Sequence, residues 1–420
     1  MHSAVPDPAA QAVLQRRTIA TLRLAQVPGQ AAVAGIVTVI AVLVGDLLHS
    51  DRFAGSGGAA FTLGSALMAP YLAALMRRRG RRPGLALAFT IGAFGAVIAA
   101  IGGQTRTPLV LLLGMTLFGG VQAGTLQGRY AAADLAAPGQ GPRAIAAVVW
   151  LGTLGAVFGP VLTAFWKHVA PSVGLDPLIG PIAVAAVLSF VAAAVIWFRL
   201  RPDPLIAAGG VDPHAARTPV VKTVGRSLRT IRASPLAVLG LASMVVAQVT
   251  MTGVMTMTPP HMRDHQHGSM SPYVIALHIA GMYGLAPLVG RYVERVSPQR
   301  AVITGALVTT TGTAAAVLAG YQPVLIFVGL FLLGLGWNIG IVAGSSLVTT
   351  SVPLQSKVEV QGAADFMMSF CGGLAAFGSG FVKQAFGFHL LANIASLLGL
   401  GLVAYTVFGP SRFTNRADAY

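Results

Sequence analysis

Charged residues are scarce in this sequence. Only 10% of its 420 residues are Asp, Glu, Lys or Arg, whereas 55% are hydrophobic and the mean hydropathy is +0.74. Soluble proteins carry charges at about a quarter of their positions, so this composition does not supply a water-exposed surface. The apolar runs reach about 20 residues, the length at which a helix crosses the hydrocarbon core of a bilayer. The sequence therefore predicts an all-α membrane protein whose surroundings are a lipid bilayer.

Acidic residues and cysteine are scarcer still. Twelve Asp and Glu stand against 28 Lys and Arg, and the single Cys371 excludes an intramolecular disulfide. The formal charge of +16 follows the positive-inside rule rather than the pattern of a nucleic-acid site. With a cytoplasmic N-terminus and C-terminus, only five basic residues fall on the outer side of the cell membrane: Arg52, Arg106, Lys167, Arg263 and Lys383.

The apolar segments number twelve, and a long connection at about 199–234 divides them into six and six. We therefore expect a six-helix bundle over 1–198 and a second over 235–420. Helical spacing of Lys222, Arg226 and Arg229 predicts an amphipathic helix in the cytoplasmic connection, on the anionic inner leaflet. The segments lie at about 24–47, 57–76, 83–103, 108–128, 143–165, 177–198, 235–257, 272–293, 300–320, 323–350, 359–383 and 388–409.

Three short motifs lie at or near the ends of these segments. Five arginines occur within seven residues from Arg77 to Pro83, between the second and third segments. A weaker copy follows the eighth segment, where Gly290 precedes Glu294 and Arg295. The fifth segment contains Gly155-Ala-Val-Phe-Gly159-Pro160, which predicts a close helix contact with a proline kink.

These motifs resemble those of the major facilitator superfamily, in particular its twelve-span drug:proton antiporter branch. The family's loop Gly-x-x-x-Asp-Arg-x-Gly-Arg-Arg matches at Gly80, Arg81 and Arg82, but Ala73 and Arg77 replace its first Gly and its Asp. The family's span-4 arginine is not found three residues before Gln122, where Gly119 stands. The resemblance covers essentially the whole chain.

The resemblance implies two pseudo-symmetric bundles that transport by alternating access. It implies proton-coupled efflux of drugs or other small amphiphiles, and a contact at Gly155, Gly159 and Pro160 that seals the cavity against proton leak. No ATP-binding Gly-x-x-x-x-Gly-Lys-Ser/Thr motif occurs, so we expect secondary transport by a monomer without cofactor or enzyme activity. The alternatives are uptake of a small neutral nutrient with an ion, and a non-transporting membrane sensor.

The arginine loop lacks the family's acidic residue, and this leads to a hypothesis about a cytoplasmic latch. By latch we mean ion pairs that hold the inner ends of the two halves together in the outward-open state. In the family this residue faces the inner start of span 11, which here carries Glu359. We therefore predict a swapped ion pair of Arg77 with Glu359, and by pseudo-symmetry a pair of Glu294 with Arg143. Asp134 is then expected to pair with Arg78 or Arg81. The alternative is that the arginines are solvated charges that fix orientation only.

Ionisable residues within spans are costly and therefore candidates for function. Asp365 lies six residues into span 11, about 9 Å from its inner end, and is the first candidate for proton coupling. Asp46 near the outer end of span 1 and His278 in span 8 are the others. Structural hydrogen bonds are the alternative role for all three, and we expect no direct pair of Asp365 with His278 because their depths differ.

Uncharged polar residues are the candidates for the substrate cavity, together with adaptable Met and Phe side chains. The lack of charge among them suits a neutral or weakly cationic amphiphile. The candidates are Gln30, Gln122, Trp150, Gln248, Trp337 and Asn338.

An outer loop contains His261, His265 and His267. Histidine is a common ligand of Zn and Cu, but the spacing is irregular. We therefore expect a polar or pH-sensitive loop rather than a metal site, and metal binding by these three residues is the alternative.

Overall fold

A computed structural model describes residues 8–48, 56–213, 219–264, 270–318 and 322–409, and all regular structure in these ranges is helical. Backbone polar groups in lipid must be satisfied within the segment, which helices achieve. The first six helices are α1 (Pro8–Leu48), α2 (Ser56–Arg79), α3 (Arg81–Gln104), α4 (Pro108–Ala133), α5 (Gly141–Val169) and α6 (Ile179–Arg199).

The connection between the sixth and seventh predicted segments contains two further helices, α7 (Pro204–Ala207) and α8 (Val220–Ala233). The amphipathic helix expected over Lys222–Arg232 is α8. The remaining helices are α9 (Pro235–Asp264), α10 (Ser271–Ile279), α11 (Ala286–Val296), α12 (Pro298–Leu318), α13 (Pro323–Thr350) and α14 (Leu354–Phe408).

The chain forms two compact units, Met1–Thr223 and Val224–Tyr420. In the first unit α3 packs on α4 and α6, α1 on α5 and α6, and α2 on α4. In the second unit α12 packs on α13 and α14, and α9 on α13 and α14. The boundary between the units falls in the basic connection, close to the division that the sequence predicts.

A glycine crossing recurs in both units. In the α3–α4 pair, a Cβ added to Gly95 would lie 2.8 Å from the Gly114 carbonyl oxygen, and one added to Gly114 would lie 2.7 Å from that of Gly95. In the α12–α13 pair the same measurements for Gly312 and Gly329 are 2.6 and 2.7 Å. Both helix pairs therefore approach until backbones touch, as small residues allow in membrane bundles. Because these are the third and fourth helical segments of each predicted bundle, the crossing is a structural sign of duplication.

The predicted segments all lie on helices, but several boundaries were wrong. Nine helices in the described ranges are long and apolar enough to cross a membrane, and the bent pair α10–α11 makes a tenth. That pair was predicted as one segment at 272–293, and a π-helical turn over Ala280–Gly284 interrupts it with a bend of 44°. The last two predicted segments are the two helical parts of α14, which meet at the non-helical Gly387 with φ +85°, between the predicted segments.

Helix α1 begins at Pro8 rather than near residue 24, because polar side chains there have partners at and just beyond the end of α4. Gln11 Nε2 donates to the Leu135 carbonyl at 3.2 Å, and Gln15 Nε2 donates to that of Ala132 at 2.7 Å. The last carbonyls of a helix lack partners within the helix. The polar start of α1 therefore caps the end of α4, which hydropathy alone does not reveal.

Candidate functional site

The arginine loop is a hinge of one residue between α2 and α3. Gly80 has φ +94° and ψ 171°, a region that is essentially restricted to glycine. A Cβ at this position would also lie 2.5 Å from Asp203 Oδ2. Both the backbone geometry and the neighbouring carboxylate therefore require glycine here.

Asp203 joins this hinge to the connection that follows α6. Its Oδ2 accepts the backbone N–H of Arg82 at 2.6 Å, while its Oδ1 accepts those of Leu205 at 2.9 Å and Ile206 at 3.3 Å. One buried carboxylate thus caps the starts of both α3 and α7. Sequence reasoning missed Asp203, although Asp followed by Pro204 is typical of a helix start.

A second acidic residue of the same connection binds the other side of the hinge. The Arg77 side chain lies 3.3 Å from Asp212 Oδ2, and the Asp212 backbone N–H donates to the Arg77 carbonyl at 2.9 Å. The acid that the loop motif lacks is therefore supplied, within the first unit, by Asp203 and Asp212.

Arg81 and Asp134 form a buried ion pair between the start of α3 and the end of α4. Arg81 Nε and NH2 donate to the two carboxylate oxygens at 2.8 and 3.2 Å, and both side chains are 0% exposed. Arg81 NH1 also donates to Gln127 Oε1 at 3.3 Å. Of the two partners considered for Asp134, Arg81 is the one in the structure.

Glu359 also has a partner inside its own unit. Arg226 NH2 on α8 donates to Glu359 Oε2 on α14 at 2.9 Å, and the Glu359 side chain is only 6% exposed. The predicted pairs Arg77–Glu359 and Arg143–Glu294 each join one residue of the first unit to one of the second, and both stay predictions.

A related hinge joins α11 to α12 in the second unit. Ser297 there has φ +81° and ψ 149°, close to the values of Gly80. The sequence alignment of the two loops places a serine where the family has glycine, and the structure shows that the backbone still adopts the glycine conformation. This non-glycine residue is therefore strained.

The Gly155 motif packs α5 against α1. A Cβ at Gly155 would meet the Val27 carbonyl oxygen and Gln30 Cβ, and one at Gly159 would lie 2.6 Å from Ala34 Cβ. Helix α5 continues through Pro160 to Val169. The close contact expected of this motif is therefore present, and its role as a proton seal stays a prediction.

Three of the cavity candidates lie in each unit. In the second unit, Trp337 Nε1 donates to Gln248 Oε1 at 2.9 Å. The ring of Tyr283 meets that of Trp337 edge to face, with centroids 5.8 Å apart and planes at 77°. Asn338 is fully buried, and neither amide atom has a hydrogen-bond partner among the described residues.

The candidates of the first unit are less closely grouped. Gln30 is buried on α1 beside Gly152 and Gly155, Gln122 is half-buried on α4, and Trp150 is 38% exposed on α5. Tyr283 in the second unit was not among the predicted candidates.

The ionisable residues within the spans have different surroundings. Asp365 on α14 is 0% exposed, and Asp46 on α1 is exposed. His278 is buried, with Nδ1 2.7 Å from the Leu330 carbonyl oxygen. The buried ring of His261 stacks on Phe388 at 4.2 Å, while His265 and His267 lie outside the described residues.

Arg129 is a buried charge that sequence reasoning missed. It is 2% exposed, its NH1 donates to the Leu126 carbonyl at 3.0 Å, and its guanidinium lies 4.5 Å from the centre of the Tyr130 ring. The fourth segment was predicted to end at residue 128, but α4 continues to Ala133. The run of alanines after Tyr130 is the signal that extends the helix past this charge.

Two helical units of this kind, each with a one-residue hinge at positive φ and with buried polar groups, are typical of a membrane transporter fold. The sequence profile of the Major Facilitator Superfamily matches residues 24–377, and the chain belongs to that family. Members of the family are secondary transporters of small molecules, not enzymes, so this chain is a multi-pass membrane transporter.

The chain is similar to several named proteins. The "Uncharacterized MFS-type transporter YdeG" of Bacillus subtilis is 33% identical over 415 residues, with 98% of this chain and 96% of that protein covered. The "Riboflavin transporter RfnT" of Brucella anthropi is 31% identical over 383 residues, with 90% and 92% covered.

Solved structures share the fold. The human organic anion transporter MFSD10 has a TM-score of 0.77 at 18% identity, with 93% of this chain and 99% of that chain covered. The transporter FucP in its outward conformation has a TM-score of 0.66 at 14% identity, with 93% and 98% covered.

Proposed function

We propose that this protein exports small amphiphilic compounds, drugs among them, in exchange for protons by alternating access. The observation that carries the substrate class is the contact of Trp337 with Gln248 and Tyr283, an uncharged aromatic and amide group in the second unit. Such groups bind a planar, neutral or weakly cationic molecule by ring contact and by hydrogen bonds.

The charged residues described above support this choice of substrate. Arg81 is paired with Asp134, and Glu359 with Arg226, at helix ends rather than among the cavity candidates. A substrate with several charges would need oppositely charged partners once it leaves water. The six cavity candidates offer amide and indole groups instead.

Asp365 is our candidate for the proton carrier. A fully buried carboxylate is costly in its ionised form, and a role in binding and releasing a proton accounts for its presence. Asp46 is exposed and His278 already bonds a backbone carbonyl through Nδ1, so both rank behind it.

Uptake of a neutral nutrient is the second candidate function, and one observation supports the nutrient as substrate. A relative with 31% identity over most of both chains is named as a riboflavin transporter. The flavin ring is planar and uncharged, so it meets the same chemical requirements as the amphiphiles above.

Transport assays in proteoliposomes test both candidates. The panel contains riboflavin, its ring without the polyol (lumiflavin), its polyol without the ring (ribitol) and the cationic planar dye ethidium. Antiport predicts accumulation of a ring-containing compound toward the acidic side of an imposed pH gradient. Accumulation toward the alkaline side would favour uptake with protons, and flux of ribitol alone would contradict the proposed substrate class.

The orientation of the chain belongs to the same proposal. We infer a cytoplasmic location of both termini and of the α8 connection from the positive-inside rule. Cysteine scanning with an impermeant thiol reagent tests this, because the native chain has only Cys371. A cysteine near the C-terminus that is labelled in intact cells would contradict the orientation.

A further inference from the structure

Gln248 occupies a space that a single glycine leaves open. A Cβ on Gly372 of α14 would lie 2.6 Å from Gln248 Cγ and 3.2 Å from its Nε2. The side chain of Gln248 therefore lies directly against the backbone of α14 while its Oε1 accepts the Trp337 indole N–H. Thr252, one turn further on α9, donates to the Gly372 carbonyl at 3.1 Å and keeps the two helices at this separation.

The amide nitrogen of Gln248 keeps its hydrogen-bonding capacity. Oε1 is used by Trp337, whereas Nε2 makes no hydrogen bond to any of the described residues. Gln248 is half-buried, so this donor is available at a partly enclosed surface. A primary amide carries two N–H donors, and a ligand carbonyl or ring nitrogen would accept from them.

Tyr283 provides the matching aromatic group on the other side of the indole. It lies on the π-helical turn Ala280–Gly284, which exists because Pro287 has no N–H and its ring would clash with the Tyr283 carbonyl in a straight helix. Tyr283 is half-buried, whereas the Trp337 side chain between it and Gln248 is only 6% exposed. π-Helical turns within α-helices are frequent at functional sites.

We propose that Tyr283, Trp337 and Gln248 form a subsite that selects planar heteroaromatic ligands, and that Gly372 is its positioning residue. The proposal rests on the proposed function for the size and polarity of the ligand. Trp337 lies buried between the other two residues and sets the distance between the Tyr283 ring and the Gln248 amide donor. A ligand that fits has a flat ring to contact Tyr283 and an acceptor on that ring to bind Gln248 Nε2.

Gly372→Ala is the sharpest test, because it moves Gln248 without removing any polar group. The added methyl group would lie too close to Gln248 Cγ, so the side chain must shift and the bond to Trp337 must change. Gly378→Ala on the same helix is the matched control, since a Cβ there has no atom within 4 Å. Both variants make the same chemical change on α14.

The measurement is ¹⁹F NMR of the full chain labelled with 5-fluorotryptophan, with lumiflavin and ribitol as probes. The chain has four tryptophans, so Trp337→Phe assigns the resonance. We expect lumiflavin but not ribitol to shift the Trp337 resonance. Gly372→Ala should move that resonance without ligand and weaken lumiflavin binding about tenfold, the effect of losing one hydrogen bond, while Gly378→Ala should do neither.

Two results would overturn the subsite. One is a Trp337 resonance that lumiflavin leaves unchanged, and the other is equal lumiflavin affinity in Gly372→Ala and Gly378→Ala. Failure of the proposed function has a different signature. Lumiflavin would then bind at Trp337 as described, but no compound of the panel would cross the proteoliposome membrane under a pH gradient.

Discussion

Asp203 is the residue on which the Gly80 hinge of the first unit depends. We predict that Asp203→Ala lowers the free energy of unfolding by about 1–2 kcal/mol, because the starts of α3 and α7 lose their shared acceptor. Asp203→Asn should cost less, since its carbonyl oxygen still accepts one of these N–H groups. Thermal unfolding in detergent measures the difference.

Asp212→Ala is the control for this prediction. Its carboxylate is 42% exposed, and pairs of this kind contribute about 0–1 kcal/mol. If Asp203→Ala were no less stable than Asp212→Ala, the assignment of Asp203 as a double cap would be wrong.

The buried Arg81–Asp134 pair should behave differently from a surface ion pair. Asp134→Leu or Arg81→Met alone removes the ionic partner of the other buried charge, which costs about 3–5 kcal/mol. The double variant Arg81→Met/Asp134→Leu should recover a large part of that loss, because neither charge remains. Melting temperatures of the singles and the double provide the double-mutant cycle, and additive losses would contradict the pairing.

Single residues also show where sequence reasoning stops. The chemistry of Arg81 and Asp134 was predictable, since a charge at a helix end beside lipid needs a partner. The partner of Arg77 was not, because Asp212 lies far along the chain in a connection whose fold depends on the Asp203 cap. Arg129 was missed because a hydropathy profile ends a span at the first charge, whereas the structure buries that charge beside Tyr130.

The helix connections of the two units share a backbone conformation, but glycine adopts it at position 80 and serine at position 297. The Ser297 conformation costs about 1–3 kcal/mol in a residue with a side chain. We therefore predict that Ser297→Gly raises the free energy of unfolding by about 1 kcal/mol. The reverse change, Gly80→Ser, should destabilise more, because its side chain would also meet Asp203.

Thermal unfolding of the two variants in the same detergent checks this prediction. A destabilised Ser297→Gly would show that the serine hydroxyl makes a contact that stabilises the fold by more than the strain costs.

At the scale of the helices, the sequence predicted the existence and order of the elements from apolar length. It did not predict the π-helical turn before Pro287, because that turn depends on local backbone geometry rather than on hydropathy.

At the scale of the molecule, the ion pairs bear on how the transporter changes state. We predict that Arg77→Glu impairs transport, because it repels Asp212 and removes the hypothesised partner of Glu359. Adding Glu359→Arg should restore transport if Arg77 and Glu359 meet in one state of the cycle. If Glu359→Arg restored transport to Arg226→Glu but not to Arg77→Glu, Arg226 alone would be the functional partner of Glu359. Initial transport rates in proteoliposomes compare these variants.

The fold of the whole molecule was the most predictable property, and the substrate the least. Low charge, twelve apolar segments and a central basic connection predict a duplicated helical transporter, and the Gly95–Gly114 and Gly312–Gly329 crossings fit that duplication. Substrate choice depends on a few side chains such as Trp337 and Gln248, whose contact joins residues 89 positions apart. No pattern in the sequence indicates that these two residues are in contact.

Asp365→Asn tests the central claim, which is transport coupled to protons through one buried carboxylate. The measurement compares two fluxes of the same substrate in proteoliposomes, accumulation driven by a pH gradient and exchange of labelled for unlabelled substrate at equal pH. The account predicts that Asp365→Asn loses the driven accumulation and keeps the exchange, while the exposed control Asp46→Asn keeps both. Undiminished accumulation in Asp365→Asn would contradict it.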